Sequence, residues 1–415
     1  MIQKFNISII NYQLFLLLLC SCNIGSRPAT QEFENSQWRG EGRNGVYNET
    51  GLLKVWDDEG PLLLWKYEGL GDGYTSAAIA GEKIYITGLN EETLILFVLD
   101  LNGNLLNKKE VTREETDSYP GPRSTVNVNA GKLYIYNAFG TLVCLDEKTL
   151  EEVWSKEVLT DFVGDSVEWT VAESPLIVGE KIFVTPGGKE HNFLALNKNT
   201  GELIWSSPGE STQPAYCSPQ YIGDRSVPVV VTCTADYIVA WNADTGEKLW
   251  SFPQKNDYHV HPNTPLYHNG MILSTSGYGE GAVMLRLKDG GKAVELVWKN
   301  KEMDNQMGGF VKVGDYAYAA GHVNKFFFCV DWNTGETKYK DKEIFRANVI
   351  SADEMLYCYS ERGIMYLINP NPDKFDPVSS FKVTQGTGSH WAHPVIHRGV
   401  LYIRHGDALM AYKIQ

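Results

Sequence analysis

The sequence predicts an all-β protein, an eight-bladed β-propeller of four-stranded antiparallel blades. A hairpin-like segment occurs eight times, a second hairpin-like segment follows several of these copies, and the turns of the first segment recur every 39 to 50 residues. Two hairpins in each repeat give four strands. Four strands in a repeat of this length are typical of a propeller blade.

The first repeated segment contains an apolar stretch, a turn usually built on glycine, and then alternating aromatic and β-branched residues. Glycine supplies the positive φ that tight hairpin turns need, so each copy predicts two antiparallel strands. The copies span residues 78–87, 127–136, 176–185, 221–232, 266–275, 311–320, 350–359 and 395–404.

The second segment contains an apolar strand, an Asp or Asn, a turn that is usually Thr-Gly, and an aromatic residue that is usually tryptophan. Its clear copies span residues 144–154, 195–205, 240–250 and 329–339. We expect the recurrent tryptophans to end the outermost strands, where large rings can pack between neighbouring blades. These tryptophans are Trp65, Trp154, Trp205, Trp250 and Trp298.

The last repeat ends at residues 410–415, one strand short of a complete blade, and a spare apolar strand at residues 61–68 precedes the first full blade. An N-terminal strand that completes the last blade would remove the two open edges of a linear array. The sequence therefore predicts a single propeller over residues 61–415, preceded by a linker and rim segment over residues 23–60.

Residues 1–22 have the features of an export signal: Lys4 precedes an apolar stretch, residues 14–19, that is too short to span a bilayer. Residues 19–22, Leu-Cys-Ser-Cys, resemble the bacterial lipobox, so we predict a lipoprotein signal peptide and lipidation at Cys22. A plain secretory signal is the alternative. A lipid anchor of this kind predicts a location on the periplasmic side of the bacterial outer membrane.

The chain is acidic, with 37 basic and 51 acidic residues and a net charge of -14. Such a charge repels phosphate backbones and argues against nucleic acid as a partner. The five cysteines beyond the signal form no disulfide framework, although Cys217 and Cys233 are placed to face each other across a hairpin as an optional bridge. The five are Cys144, Cys217, Cys233, Cys329 and Cys358.

Blades that end in Leu/Val-Asp/Asn-x-x-Thr-Gly-x-x-x-Trp resemble the pyrroloquinoline-quinone-like (PQQ-like) repeat superfamily, and the resemblance covers nearly all of residues 36–415. The resemblance implies the propeller fold, but members of the superfamily have two different kinds of function. Quinoprotein dehydrogenases bind PQQ and Ca²⁺ in the central funnel, whereas the propeller lipoprotein of the outer-membrane β-barrel assembly machinery binds protein partners and no cofactor. Residues 38–46, WRGEGRNGV, look like the opening of uncharacterised PQQ-like propeller proteins. Fold therefore does not decide function.

The segments that enter the innermost strands should line the mouth of the funnel. In a dehydrogenase, carboxylates and an amide hold Ca²⁺, an acidic residue takes the alcohol proton, and an arginine contacts the quinone. Glu173 would then be the catalytic base. Two histidine pairs, at 259/261 and 390/393, make His261 and His393 the candidate metal ligands. The candidate cofactor-binding residues are Arg123, Glu173, Tyr216, Asn263, Arg346 and Trp391.

Several enzyme signatures are absent from the sequence, including an adjacent cysteine pair, a Cys-x-x-Cys-His haem motif, a serine nucleophile elbow and a phosphate-cradling glycine loop. We therefore favour a non-catalytic binding scaffold that holds a protein partner or a small ligand at the funnel mouth, without a cofactor. The alternative is a PQQ- and Ca²⁺-dependent alcohol or sugar dehydrogenase. A third hypothesis is glycan binding, suggested by Tyr74, Trp169, Tyr216 and Trp391.

Overall fold

The computed structural model describes Met1, residues 36–210 and residues 213–415. Apart from Met1, the predicted signal peptide lies outside the described residues, as do Cys22 and the first part of the predicted linker. Lipidation at Cys22 therefore stays a prediction. No helix in the described part of the chain is long and apolar enough to cross a membrane.

Eight antiparallel sheets confirm the predicted eight-bladed propeller, and within blades 1 to 7 the strands follow one another in chain order. Two short strands come first, β1 Val46–Tyr47 and β2 Leu63–Glu68. The first four blades are β3 Ala78–Ala80, β4 Lys83–Asn90, β5 Thr93–Asp100 and β6 Leu105–Arg113; β7 Asn127–Asn129, β8 Lys132–Tyr136, β9 Thr141–Asp146 and β10 Glu152–Glu157; β11 Leu176–Val178, β12 Lys181–Val184, β13 Phe193–Asn197 and β14 Leu203–Ser207; β15 Gln220–Ile222, β16 Val229–Cys233, β17 Tyr237–Asn242 and β18 Lys248–Pro253.

Two short helices lie between strands, α1 Val158–Asp161 and a 3₁₀ helix at Asp289–Gly291. The remaining blades are β19 Leu266–His268, β20 Met271–Ser276, β21 Gly281–Lys288 and β22 Ala293–Asn300; β23 Phe310–Val313, β24 Tyr316–Ala320, β25 Phe327–Asp331 and β26 Thr337–Asp341; β27 Ala347–Ala352, β28 Met355–Ser360, β29 Ile364–Ile368 and β30 Pro377–Lys382; β31 Val395–His397, β32 Val400–His405 and β33 Ala408–Lys413.

The ring closes as predicted, by an N-terminal strand. Strand β2 pairs antiparallel with β33, from Leu63 opposite Tyr412 to Glu68 opposite Ala408, and so supplies the fourth strand of blade 8. The closure pairs residues from the two ends of the ring. It therefore leaves neither end as an open sheet edge.

The core of the molecule lies between blades. Eight clusters of buried apolar side chains occupy the eight interfaces between adjacent blades, including the interface between blades 8 and 1. The third strand of a blade is apolar on both faces because both faces meet a neighbouring blade, as β5 illustrates, whereas the outermost strand β10 is largely exposed. Burying each large apolar side chain contributes about 1.5–3 kcal/mol.

The recurrent tryptophans bridge adjacent blades, as predicted. The indole Nε1 of Trp65, on blade 8, donates to the carbonyl of Leu101 on blade 1 at 2.8 Å, and Trp154 on blade 2 donates to Lys198 on blade 3 at 3.0 Å. The rings of Trp65, Trp154, Trp205 and Trp298 also cover a turn glycine of the next blade. A Cβ placed on Gly201 would lie 2.7 Å from the ring of Trp154, so only glycine fits beneath it.

Residues 36–47, which belong to the predicted linker and rim segment, contact the first strands of blades 2 and 7. Ser36 forms an antiparallel bridge with Val128 on blade 2, and β1 pairs in parallel with β27 on blade 7. The segment therefore crosses the central channel from one side of the ring to the other. We call residues 36–47 the plug.

Cys217 and Cys233 are both buried free thiols. Cys217 donates to the carbonyl of Asn263 at 3.3 Å, and the Cys233 sulfur lies 3.7 Å from the hydroxyl of Ser274. The optional disulfide between them stays a prediction.

Candidate functional site

A cavity of about 380 Å³ lies at the mouth of the funnel, and all eight blades contribute to its wall. Of the six candidate cofactor-binding residues, the structure brings five to this cavity and leaves Glu173 outside its wall. We call this cavity the funnel pocket. Its lining includes Trp38, Tyr74, Tyr119, Arg123, Trp169, Ala172, Tyr216, Asn263, Tyr278, Gln306, His322, Arg346, Glu361, Trp391 and His393.

Aromatic rings dominate the wall of the funnel pocket. Trp391 lies between two tyrosines, with ring centroids 5.1 Å from Tyr74 and 5.1 Å from Tyr119. Blades 3 and 4 contribute a second pair, Trp169 and Tyr216, whose centroids are 6.0 Å apart. These contacts fix the ring orientations while each ring still reaches the cavity.

The backbone is unusual at several of these positions. Tyr119, Tyr216 and Arg346 have φ values of 54°, 69° and 45°. Bulky residues with positive φ are rare, and such positions cluster at functional sites because the surrounding structure must hold them there. The strained loops aim side chains at the funnel axis.

The main polar contacts of the pocket involve Glu361 on blade 7. The Nη1 of Arg346 lies 3.4 Å from one oxygen of Glu361, and the indole Nε1 of Trp391 donates to the other oxygen at 3.2 Å. Among the described residues, Nε of Arg346 has no hydrogen-bond partner. The ion pair and the indole bond therefore hold Glu361 in place at the wall.

Arg123 holds the loop that carries Tyr119. Its guanidinium donates to the Thr170 hydroxyl at 2.6 Å and to the Tyr119 carbonyl at 2.9 Å. Burial lowers the pKa of Arg123, while nearby Glu114 and Glu115 oppose this shift. Burial raises the pKa of Glu114 to about 7, so this carboxyl is only partly ionised at neutral pH and balances the charge of Arg123 only in part.

His322 is a neutral hydrogen-bond donor at the pocket wall. Its Nδ1 accepts the backbone N–H of Tyr278 at 3.3 Å, so a neutral ring carries its proton on Nε2. Burial and the nearby charge of Arg346 lower the pKa of His322 to about 4. At neutral pH the pocket therefore has a neutral imidazole at this position.

Glu173, the candidate base, is buried outside the lining of the pocket. Its carboxylate accepts the backbone N–H of Thr185 at 2.7 Å. Burial raises the pKa of Glu173 to about 7, while the Thr185 bonds and the charge of Arg43 oppose this rise. Its neighbour Ala172 lines the cavity instead.

Asn263 lies at the pocket wall, but its amide is already used. The nitrogen donates to the Asn305 side chain and to the Gln306 carbonyl, and the oxygen accepts the Gly309 N–H at 3.0 Å. Asn263 thus ties blade 5 to blade 6. These bonds fix the orientation of its side chain between the two blades.

The two candidate metal ligands lie on blades 5 and 8 and bond to protein groups. Nε2 of His261 lies 3.0 Å from the carbonyl of Ala235, and Nδ1 of His393 accepts from Arg39 at 3.0 Å. Burial lowers the pKa of both histidines, that of His261 to about 4. Within residues 36–210 and 213–415 there is no group of three or more His, Cys, Asp or Glu side chains arranged to hold a metal ion.

The plug forms the floor of the pocket. Trp38 lines the pocket and packs edge-on against His393, with ring centroids 5.1 Å apart. Trp38 also lines a second cavity of about 140 Å³, so the plug separates the two spaces. Arg39 and Arg43 anchor it through bonds to backbone carbonyls, among them Phe310 at 2.8 Å from Arg39. The funnel pocket is therefore closed at its inner end.

These residues do not fit a calcium-bound quinone. Ca²⁺ takes about six to eight oxygen ligands, usually with several carboxylates. Among the described residues that line the pocket, Glu361 is the one carboxylate, and it is held by Arg346 and Trp391. The amide of Asn263 is likewise committed.

A profile of the family described as outer membrane protein assembly factor BamB matches residues 98–227 and 211–372. The two matches together span more than half of the sequence. The chain belongs to this family of PQQ-like propellers.

Curated relatives of this PQQ-like propeller fall into two functional groups. Outer membrane protein assembly factor BamB of Shewanella oneidensis is 26% identical over 224 residues, which are 51% of this chain and 52% of that protein. Quinoprotein ethanol dehydrogenase of Pseudomonas aeruginosa is 26% identical over 146 residues, which are 32% of this chain and 23% of that enzyme. The chain thus spans about half or less of the length of these relatives.

Solved structures with the same fold come from both groups. The crystal structure of BamB from Moraxella catarrhalis has a TM-score of 0.63 and 12% identity, covering 85% of this PQQ-like propeller and 100% of that chain. Quinohemoprotein alcohol dehydrogenase from Comamonas testosteroni has a TM-score of 0.63 and 12% identity, covering 89% and 79%. These likenesses establish the fold alone.

Proposed function

We propose that the chain is a non-catalytic binding propeller that holds a small ligand, or a segment of a protein partner, in the funnel pocket. The observation that carries this proposal is the aromatic cavity of about 380 Å³, closed at its inner end by the plug. Small-molecule sites are typically concave, largely apolar and about 300–1,000 Å³ in volume, with a few polar groups that fix orientation. The funnel pocket matches this description.

The polar groups of the pocket support binding rather than catalysis. Glu361 and Arg123 are engaged in bonds that position loops and rings. The Nδ1 lone pair of His322 already accepts the Tyr278 N–H, the pKa of about 4 makes this ring a weak base, and Glu173 is outside the cavity wall. A general base must come within hydrogen-bond reach of the proton it removes. No described carboxylate at the wall is free for that role.

We further propose that Cys22 carries a lipid that tethers the protein to the periplasmic side of the outer membrane. The lipobox at residues 19–22 supports this, and so does the match to proteins named outer membrane protein assembly factors. The test is the mass of the mature N-terminus and its membrane partition. Cys22→Ser should remove the acyl mass and release the protein, and an unmodified wild-type Cys22 would overturn the proposal.

Blocking the pocket tests the binding function. Ala172 lines the pocket, so Ala172→Phe fills space without removing a polar contact. Leu106, on the exposed strand β6, provides the control Leu106→Phe. We would measure the thermal shift of both variants and of the wild type with a panel of metabolites, peptides and saccharides. Ligands that stabilise the wild type and Leu106→Phe should not stabilise Ala172→Phe, whereas equal shifts in all three proteins would place binding elsewhere.

The second hypothesis is a PQQ- and Ca²⁺-dependent alcohol or sugar dehydrogenase. The quinoprotein ethanol dehydrogenase relatives favour it. It predicts reduction of a redox dye by alcohols or aldoses that appears only after PQQ and Ca²⁺ are added. The donor groups at the pocket argue for the binding function, because they lack the set of free oxygen ligands that Ca²⁺ requires.

A further inference from the structure

We propose that the funnel pocket recognises the end of an uncharged saccharide chain. This inference rests on the proposed binding function and names the chemical class of its ligand. Three features of the pocket support this proposal: aromatic faces on two parts of the wall, planar polar side chains that are bonded to other protein groups, and the closed floor.

The aromatic faces provide stacking surfaces for sugar rings. Trp391 with Tyr74 and Tyr119 forms one surface, and Trp169 with Tyr216 forms the other. The face of an aromatic ring carries partial negative charge and attracts polarised C–H groups, which the faces of pyranose rings present. An aliphatic guest would need no such arrangement of flat rings.

The polar groups are those that bind hydroxyls, and they are largely bonded to other protein groups. Arg346 pairs with Glu361 at 3.4 Å, and Arg123 donates to the Thr170 hydroxyl and the Tyr119 carbonyl. Neutral donors and acceptors complete the wall, including Gln306, which donates to the hydroxyl of Tyr278 at 2.8 Å. A charged ligand would leave one of these charges uncompensated in a partly desolvated site. A ligand rich in hydroxyls can both donate and accept along the same wall.

The floor determines which part of a saccharide fits. Trp38 and His393 close the inner end, and the plug separates the pocket from the second cavity. A polymer therefore cannot thread through the funnel axis. A chain end can enter, with the rest of the chain leaving through the mouth. We infer recognition of a terminal unit rather than of an internal segment.

Calorimetric titration of the mature full-length protein tests this inference. The probes are neutral gluco-, manno-, galacto- and xylo-oligosaccharides of increasing length. We expect one molecule bound per chain, with little gain in affinity once the chain end fills the pocket. Raising the salt concentration should leave the affinity nearly unchanged, because salt screens interactions between charges and has little effect on an uncharged ligand.

Three variants locate the binding. Trp391→Ala removes a stacking face and should weaken binding by about tenfold or more. Trp391→Phe keeps a ring and should restore part of the affinity, which simple misfolding would not do. Ala172→Phe should abolish binding, and Leu106→Phe should bind like the wild type.

The outcomes separate this inference from the binding function itself. If no oligosaccharide in the series binds at millimolar concentration, the saccharide inference is overturned. Binding that survives Ala172→Phe, or that requires a carboxylated sugar and falls steeply with salt, also overturns it. If instead a peptide or another metabolite binds in a manner that Ala172→Phe abolishes, the binding function stands and the saccharide assignment fails.

Discussion

Two arginines of the plug hold distant parts of the ring together. Arg39 and Arg43 are buried, and burial lowers the pKa of each to about 10. Arg39 donates to the carbonyl of Phe310 on blade 6, and Arg43 donates to the carbonyl of Ser174 at 2.6 Å on the approach to blade 3. A guanidinium has five donors in a planar fork and so can satisfy several carbonyls at once.

Replacing Arg39 by methionine should destabilise the propeller. Arg39→Met keeps much of the side-chain volume but leaves the buried carbonyl of Phe310 and the ring of His393 without their donor. We expect a loss of about 1–3 kcal/mol in the free energy of unfolding, measured by urea denaturation. Arg362→Met, at an exposed arginine, is the control. Equal effects in both variants would contradict the anchoring role.

Glu173 should make the stability of the protein depend on pH. Burial raises its pKa from 4.5 to about 7. Between these values the folded state binds more protons than the unfolded chain, so this group's contribution to the free energy of unfolding falls as the pH rises from 4.5 to 7. The free energy of unfolding of Glu173→Gln should therefore rise relative to that of the wild type as the pH increases through this range, by roughly 2–3 kcal/mol in total. Urea denaturation of both proteins at several pH values measures this difference. If the two plots of unfolding free energy against pH run parallel, the raised pKa of Glu173 is refuted.

At the scale of elements, the repeats predicted the hairpins, the blade count and the closing strand, because each is a local or periodic property of the sequence. The repeats also located the segments that enter the innermost strands. Tyr278, His322 and Glu361 were not predicted, and they line the pocket from the turns between second and third strands. In an antiparallel meander these turns return to the end where the first strand begins. This alternation of strand direction could have located the three residues from the sequence.

The tryptophan-on-glycine contact between blades predicts a large steric effect of one methyl group. At Gly201, φ is +72° and a Cβ would lie 2.7 Å from the ring of Trp154. At Gly314, φ is +56° and a Cβ would have nothing within 4 Å. Both alanine variants carry the cost of positive φ, so their difference isolates the contact with the ring. Gly201→Ala should lose about 1–3 kcal/mol more than Gly314→Ala in urea denaturation, and equal losses would contradict the docking role.

At the scale of the whole molecule, the pocket exists because the ring brings eight separate loops to one axis. Eight of the lining residues were predicted from the sequence: Arg123, Tyr216, Asn263, Arg346 and Trp391 as cofactor-binding candidates, Tyr74 and Trp169 as sugar-stacking candidates, and His393 as a metal ligand. Sequence reasoning did not predict that Trp38 forms the floor, since the plug is outside the repeats and its path across the channel depends on contacts with blades 2 and 7. It also assigned Glu173 to the mouth, although neighbouring residues of an extended segment point to opposite sides.

The central claim is that the funnel pocket binds a ligand and does not use a quinone cofactor. The most direct test is calorimetric titration of PQQ with Ca²⁺ into purified protein lacking residues 1–22. We predict no heat of binding and no thermal stabilisation, because the pocket wall lacks free oxygen ligands for the cation. Stoichiometric binding with micromolar or tighter affinity would contradict the account and make the funnel residues candidates for catalysis.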